Sequence, residues 1–110
     1  MKVFAIIPEL IGNYKDTKED ILNKAVSKFA ENRAIVANDV ELINDTNDIY
    51  YENPELCALA NLGKDILTMC NADAVIRIVT PHRSEYSVDL AIMARLAIEH
   101  NIPIDYIFVD

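Results

Sequence analysis

Short apolar runs alternate along this chain with segments in which apolar residues recur every three or four positions. The run at residues 3–7 is rich in β-branched side chains and ends at Pro8, which predicts a first strand. Residues 18–31 follow the helical period, and Asp16 or Thr17 can cap this helix. A second strand is expected at residues 34–36, or at 34–42 in a longer alternative.

The second half of the chain repeats this alternation. Asn53 and Pro54 have the residue types favoured at the cap and first position of a helix, which is predicted to run to about Cys70. A strand at 73–80, a helix at 84–100 capped by Ser84 and a strand at 102–109 follow. Alternating strands and helices predict right-handed parallel crossovers. We expect one domain over residues 1–110, a three-layer α/β sandwich with a flavodoxin-like parallel sheet of four to five strands.

Charge and hydropathy narrow the function classes. The net charge is −8, and the 10 Lys and Arg residues are scattered, so a nucleic acid polymer is an unfavourable partner. A single nucleoside or nucleotide is compatible with this charge. The N-terminal apolar run is short and is interrupted by Glu9, which indicates a core strand in a cytoplasmic protein rather than a leader or membrane segment.

Glycine and cysteine usage excludes several cofactor sites. Gly12 and Gly63 are the only glycines, so neither a P-loop nor a dinucleotide-binding fingerprint can be built. Cys57 and Cys70 fall on one predicted helix about 20 Å apart, too far for a disulfide. Neither cysteine has the ligand spacing of a zinc site, so we interpret both as core thiols and predict no metal site.

Three loops that follow strand ends define the expected ligand site. They are the segment from Pro8 to Tyr14, the segment containing Tyr50 and Tyr51, and the turn at 81–85. The carboxyl ends of parallel strands meet at one edge of a sheet, where α/β proteins bind ligands. The tyrosines could stack on a base or, alternatively, pack over the core edge.

The turn at 81–85 and the helix that follows it carry charged candidates. His82 could transfer a proton and Arg83 could bind a phosphate, or both could be solvated loop residues. Glu85 and Asp89 are four residues apart and could form a pair of catalytic carboxylates facing one cleft. The alternative for Glu85 is a structural role, because a helix N-terminus favours a carboxylate by about 0.3–1 kcal/mol.

Asp65 has two predicted positions. In an unbroken helix it lies opposite an apolar face, towards solvent, and the helical period favours this position. If Gly63 interrupts the helix, Asp65 begins the second part and faces the cleft. The apolar face predicted for the unbroken helix consists of Leu56, Leu59, Ala60, Gly63, Leu67 and Cys70.

Three segments carry a family resemblance. The first is the opening strand and loop with Pro8, Gly12 and Tyr14. The second runs from Asp65 through Ile66, Cys70 and Asp73 to Ala74-Val75-Ile76. The third runs from Ser84-Glu85 to Ala94 and on to Asn101-Ile102-Pro103-Ile104. On these segments the chain resembles the nucleoside 2-deoxyribosyltransferase family and its short phage and bacterial relatives.

The resemblance implies nucleoside or nucleotide binding with cleavage or transfer at the N-glycosidic bond, without a metal or redox cofactor. In the family, the Asp matched by Asp65 holds the nucleoside and assists the base, and a Glu at the start of the last helix is the nucleophile. Here the glycine before that acid is missing, and Asp89 is displaced by about one helical turn. Glu85 and Asp89 are therefore the candidates for the nucleophile.

Three functional hypotheses result. The first is a binding protein for a nucleoside- or nucleotide-like molecule without turnover, which the missing glycine and displaced acid favour. The second is an active N-glycosidase or deoxyribosyltransferase that uses a carboxylate nucleophile. The third is a protein-interaction module without a small ligand. We also predict a homo-oligomer, most simply a dimer, because the last helix is apolar nearly all round between Val88 and Ile98.

Overall fold

A computed structural model of the chain describes residues 1–8, 18–45, 47–80 and 88–109. These residues contain four strands, three α-helices and one short 3-10 helix. In chain order the elements are β1 (Lys2–Ile6), α1 (Lys18–Asn32), the 3-10 helix (Ala37–Asp39), β2 (Glu41–Leu42), α2 (Pro54–Met69), β3 (Ala74–Val79), α3 (Val88–Glu99) and β4 (Ile104–Phe108).

The four strands form one parallel sheet in the order β2-β1-β3-β4. Val3 pairs with Leu42 on one side of β1 and with Ala74 on the other, and Val75 pairs with Ile104 of β4. Helices cover both faces of the sheet, so the predicted three-layer α/β sandwich with a flavodoxin-like parallel sheet is confirmed.

Two apolar cores separate the sheet from its helices. On one face, Ile21, Ala25 and Phe29 of α1 pack on alternate residues of β1, β3 and β4. On the other face, Met69 of α2 and Met93 of α3 pack on the intervening strand residues. The central strands β1 and β3 read as nearly continuous apolar runs because both of their faces are buried.

The second strand is shorter than predicted and begins later. Residues 34–36 are not a strand, because the end of α1 uses their backbone. Ala34 adopts a left-handed conformation (φ 54°), and the Ile35 N–H donates to the Ala30 carbonyl over 2.9 Å, which closes the helix end. The 3-10 helix follows, which leaves only Glu41–Leu42 to pair with β1.

Helix α2 begins as predicted and runs unbroken through Gly63. Asn53 is its N-cap and Pro54 its first residue, with the Asn53 side chain accepting from the Leu56 N–H. The predicted apolar face is wrong in its direction, because the residues that pack on the sheet are Leu62, Ile66 and Met69. The predicted face instead points outward, with Leu59 67% and Leu67 70% exposed. Cys70 is also exposed, so it is not a core thiol.

The strand order fixes where a site can form. The chain leaves β1 for β2 on one side and then crosses back to β3 on the other, so the connections diverge at the carboxyl end of β1. Such a switch point leaves a crevice in open parallel sheets. At the other end of the strands, Asp73 pairs with Lys2 at the start of β1. The Asp73 carboxylate accepts from the Lys2 N–H over 2.8 Å, and the Asp73 N–H donates to the Lys2 carbonyl over 2.7 Å.

Candidate functional site

A cleft lies at the carboxyl end of β1, where the strand order places the switch point. It consists of two adjoining cavities of about 230 and 310 Å³. Pockets for small ligands usually occupy about 300–1,000 Å³, so the two cavities together are large enough for one. The residues shared by both cavities are Ile7, Asp65, Leu90 and Met93.

Asn44 forms the wall of the cleft beside β1. Its Oδ1 accepts from the Ala5 N–H over 2.8 Å, and its Nδ2 donates to the Ala5 carbonyl over 2.9 Å. The last backbone bond of this ladder is donated by the Ile43 N–H to the Val3 carbonyl. The Asn44 amide thus continues the strand pairing with a side chain, which frees the backbone to leave the sheet at Asp45.

The segment after Asn44 is held along one face of α2. The Asn61 amide accepts from the Ile49 N–H and donates to the Ile49 carbonyl, at 2.7 and 3.0 Å. The Cys57 thiol makes the same pair of bonds to Tyr51, both at 2.8 Å, and Lys64 donates to the Asn47 carbonyl. The segment is therefore anchored at every second residue.

This anchoring gives the cleft an acidic wall. Asp45 and Asp48 line the smaller cavity beside Asp65, and Lys18 at the start of α1 lines the same cavity. Lys64 lies 4.0 Å from a carboxylate oxygen of Asp45. The described part of the cleft thus presents more carboxylates than ammonium groups.

Asp65 is the half-buried carboxylate of this cleft. Burial raises the pKa of Asp65 above its ordinary value, and the neighbouring Asp48 and Asp45 raise it further, while Lys64 and Lys18 oppose the shift. The predicted solvent-facing position was wrong. Because α2 packs on the sheet through Leu62, Ile66 and Met69 rather than through the predicted face, Asp65 is turned towards β1.

Asp89 lies in the first turn of α3 and lines the cavity that Asp65 also lines. Asp65 and Asp89 therefore share one cleft, although α2 and α3 contribute them separately. A half-buried acid with a raised pKa and an exposed carboxylate can together hold hydroxyl and amine groups of a ligand, or act as an acid and a nucleophile.

The other predicted site residues have different outcomes. Pro8 is buried directly after β1, at the cleft edge of the sheet. Tyr50 is 83% and Tyr51 45% exposed, and neither belongs to the described lining of the two cavities. Five further predicted residues lie outside the described part of the chain: Tyr14, His82, Arg83, Ser84 and Glu85.

Several lining residues were not predicted. Asn44 and Asp45 come two and three residues after the end of β2, and polar residues just after a strand are a signal that could have identified them. Asp48, Asn61 and Lys18 had no comparable signal, because their positions depend on how the segment at 47–51 is anchored to α2.

No group of three or more His, Cys, Asp or Glu in the described ranges could hold a metal ion. None of the helices described is long and apolar enough to cross a membrane. Comparison of the sequence with protein-family models and with curated proteins gave no match.

Proposed function

We propose that the protein binds a nucleoside- or nucleotide-like small molecule in the cleft at the carboxyl end of β1. The observation that carries the proposal is the half-buried Asp65 carboxylate at the switch point of a parallel sheet. A carboxyl group in this position can hydrogen-bond to a sugar hydroxyl or a base N–H. The resemblance to the nucleoside 2-deoxyribosyltransferase family supports the same ligand class. A cytoplasmic location is part of the proposal.

The charge of the cleft favours a ligand without phosphate. The described lining residues include four carboxylates, Asp45, Asp48, Asp65 and Asp89, but only one ammonium group, that of Lys18. Carboxylates at short range repel a phosphate group. We therefore expect a nucleoside to bind more tightly than its 5′-monophosphate.

A thermal-shift panel of 2′-deoxynucleosides and their monophosphates tests the proposal. A ligand at about 100 times its dissociation constant stabilises the folded state by about 2.7 kcal/mol. We expect Asp65→Ala to reduce the shift strongly and Asp39→Ala, an exposed acid on the 3-10 helix, to retain it in full. The absence of a shift with every compound would favour an interaction module without a small ligand.

Turnover is the second candidate, favoured by the presence of Asp65 and Asp89 in one cavity. In this mechanism an Asp89 oxygen forms a bond to the anomeric carbon while the C–N bond to the base breaks. The electron pair of the C–N bond leaves with the base nitrogen. In its protonated form Asp65 can supply the proton that the departing base nitrogen needs, and water or a second base then releases the sugar.

Chromatographic detection of free base distinguishes turnover from binding. We expect a nucleoside-dependent thermal shift without base release, because the family glycine before the acid is missing and Asp89 is displaced. Base release that disappears in Asp89→Asn, with the thermal shift retained, would instead establish the enzyme.

A further inference from the structure

Helix α2 presents an apolar stripe to the outside of the domain along its whole length. Leu56, Leu59 and Leu67 are 47%, 67% and 70% exposed, and Gly63 and Cys70 are exposed between and beyond them. The other faces of α2 are occupied, one by the sheet and one by the segment at 47–51. Leucines at this exposure on a helix that already has a buried face indicate an interaction surface.

The stripe is symmetric about Gly63. Leu59 and Leu67 lie four residues before and after it, and Leu56 and Cys70 lie seven residues before and after it. In an antiparallel pair of identical helices related by a two-fold axis, each residue faces the one at the opposite offset from the axis. Leu59 would then pack on Leu67 of the second copy, and Leu56 on Cys70.

Gly63 suits the position on the axis. A Cβ atom built at Gly63 meets nothing within 4 Å, so the glycine is not required for packing inside the domain. Two glycines facing each other allow the helix backbones to approach closely where they cross, while the leucines interlock on either side.

The apolar stripe of α2 differs from the outer face of α3 in that only the latter carries charged residues. None of the five residues that form the stripe is charged. The two-fold symmetry also places Glu55 opposite the uncharged Asn71 of the second copy. On α3, the exposed Ile92 is flanked by Asp89 and by the Arg95–Glu99 ion pair, whose atoms are 2.9 Å apart. Burying those charges in an interface costs free energy.

We propose that the protein forms a two-fold dimer through α2, with Gly63 on the axis. The interface does not depend on the ligand proposed for the cleft. Each copy carries a net charge of −8, so the copies repel each other at long range and the dimer tightens as salt screens this repulsion.

Sedimentation equilibrium of the full chain tests the proposal. We expect a dimer at micromolar concentration that dissociates in Leu67→Glu and persists in Ile98→Glu, a matched change at an exposed position of α3. Circular dichroism confirms that both variants are folded, since both positions face solvent in one copy. A monomeric wild-type chain, or a dimer that loses affinity only in Ile98→Glu, would overturn the proposal.

A cross-link tests the antiparallel orientation. In Leu56→Cys, mild oxidation should produce a covalent dimer through the native Cys70 of the second copy, and adding Cys70→Ser should prevent it. The wild-type chain should remain unlinked, because the two Cys70 residues are about 21 Å apart along the paired helices. A covalent wild-type dimer through Cys70 would indicate parallel pairing and contradict the antiparallel arrangement with Gly63 on the axis.

Discussion

Replacing Asn44 with Ala removes the amide that continues the pairing of β2 with β1. Two hydrogen bonds are lost, of 2.8 and 2.9 Å, and their partner Ala5 is 2% exposed. A typical hydrogen bond contributes about 1 kcal/mol net, while a buried group left without a partner costs about 1–3 kcal/mol. With water reaching the Ala5 groups through the adjoining cleft, we expect Asn44→Ala to lower the free energy of unfolding by about 2–4 kcal/mol.

Urea denaturation followed by circular dichroism measures this loss. Asn38→Ala is the matched control, because Asn38 is an exposed amide on the 3-10 helix and an exposed substitution changes stability by less than about 0.5 kcal/mol. The slope of the unfolding free energy against urea concentration should be unchanged in both variants, since the surface exposed on unfolding is the same. A loss in Asn44→Ala no greater than in Asn38→Ala would refute the role assigned to the amide.

Three further predictions follow from local geometry. Ala34→Gly should stabilise the protein by about 0.5–1 kcal/mol in urea denaturation, because Ala34 has a positive φ, whereas Ala58→Gly inside α2 should destabilise it by about 1 kcal/mol. Arg33→Lys should cost about 1 kcal/mol in the same assay, because lysine cannot make the two bonds of 2.9 and 3.0 Å to the Asp105 carboxylate; equal stability would contradict this. Asp65→Asn should raise the melting temperature at pH 7 but not near pH 3.

The sign of the Asp65 effect follows from its raised pKa. Burial penalises the charged carboxylate in the folded state, so ionisation favours the unfolded chain. The wild-type stability is thus fully present below the ordinary Asp pKa of about 3.9 and is partly lost as pH rises through the raised folded value. An asparagine does not ionise and avoids the loss. A melting temperature that is lower at pH 7 in Asp65→Asn would show that the charged form is stabilised instead.

Local sequence signals predicted the elements whose period is strong. The apolar spacing of α1, the Asn53-Pro54 start of α2 and the β-branched run of β3 all have their expected type in the structure. The prediction of a strand at 34–36 was wrong because Ala34 ends α1 in a left-handed conformation. Glycine at that position would have indicated a helix end, whereas alanine does not. The conformation of Ala34 is imposed by the packing of Ile35, a partly buried residue of the core under α1.

The candidate site was harder to predict because one helix carries two apolar faces. The stripe with Leu59 and Leu67 is more regular in the sequence than the face with Ile66 and Met69, so periodicity alone selected the outer one. That choice turned Asp65 towards solvent. Asp48 reaches the cleft because the side chains of Asn61 and Lys64 bind backbone groups more than ten residues earlier in the chain. Contacts at this separation cannot be predicted from a local sequence pattern.

Ligand mapping by NMR distinguishes the cleft from every other surface. With a 2′-deoxynucleoside titrated into the isotope-labelled protein, we expect amide shifts at Ile7, Asn44 and Asp65, which line the cleft, and none at Ser27 and Lys28 on the far part of α1. Asp65→Ala should weaken the fitted affinity at least about tenfold, which corresponds to 1.4 kcal/mol. Shifts that centre on Ser27 and Lys28, or an affinity unchanged in Asp65→Ala, would contradict the assignment of the cleft as the nucleoside site.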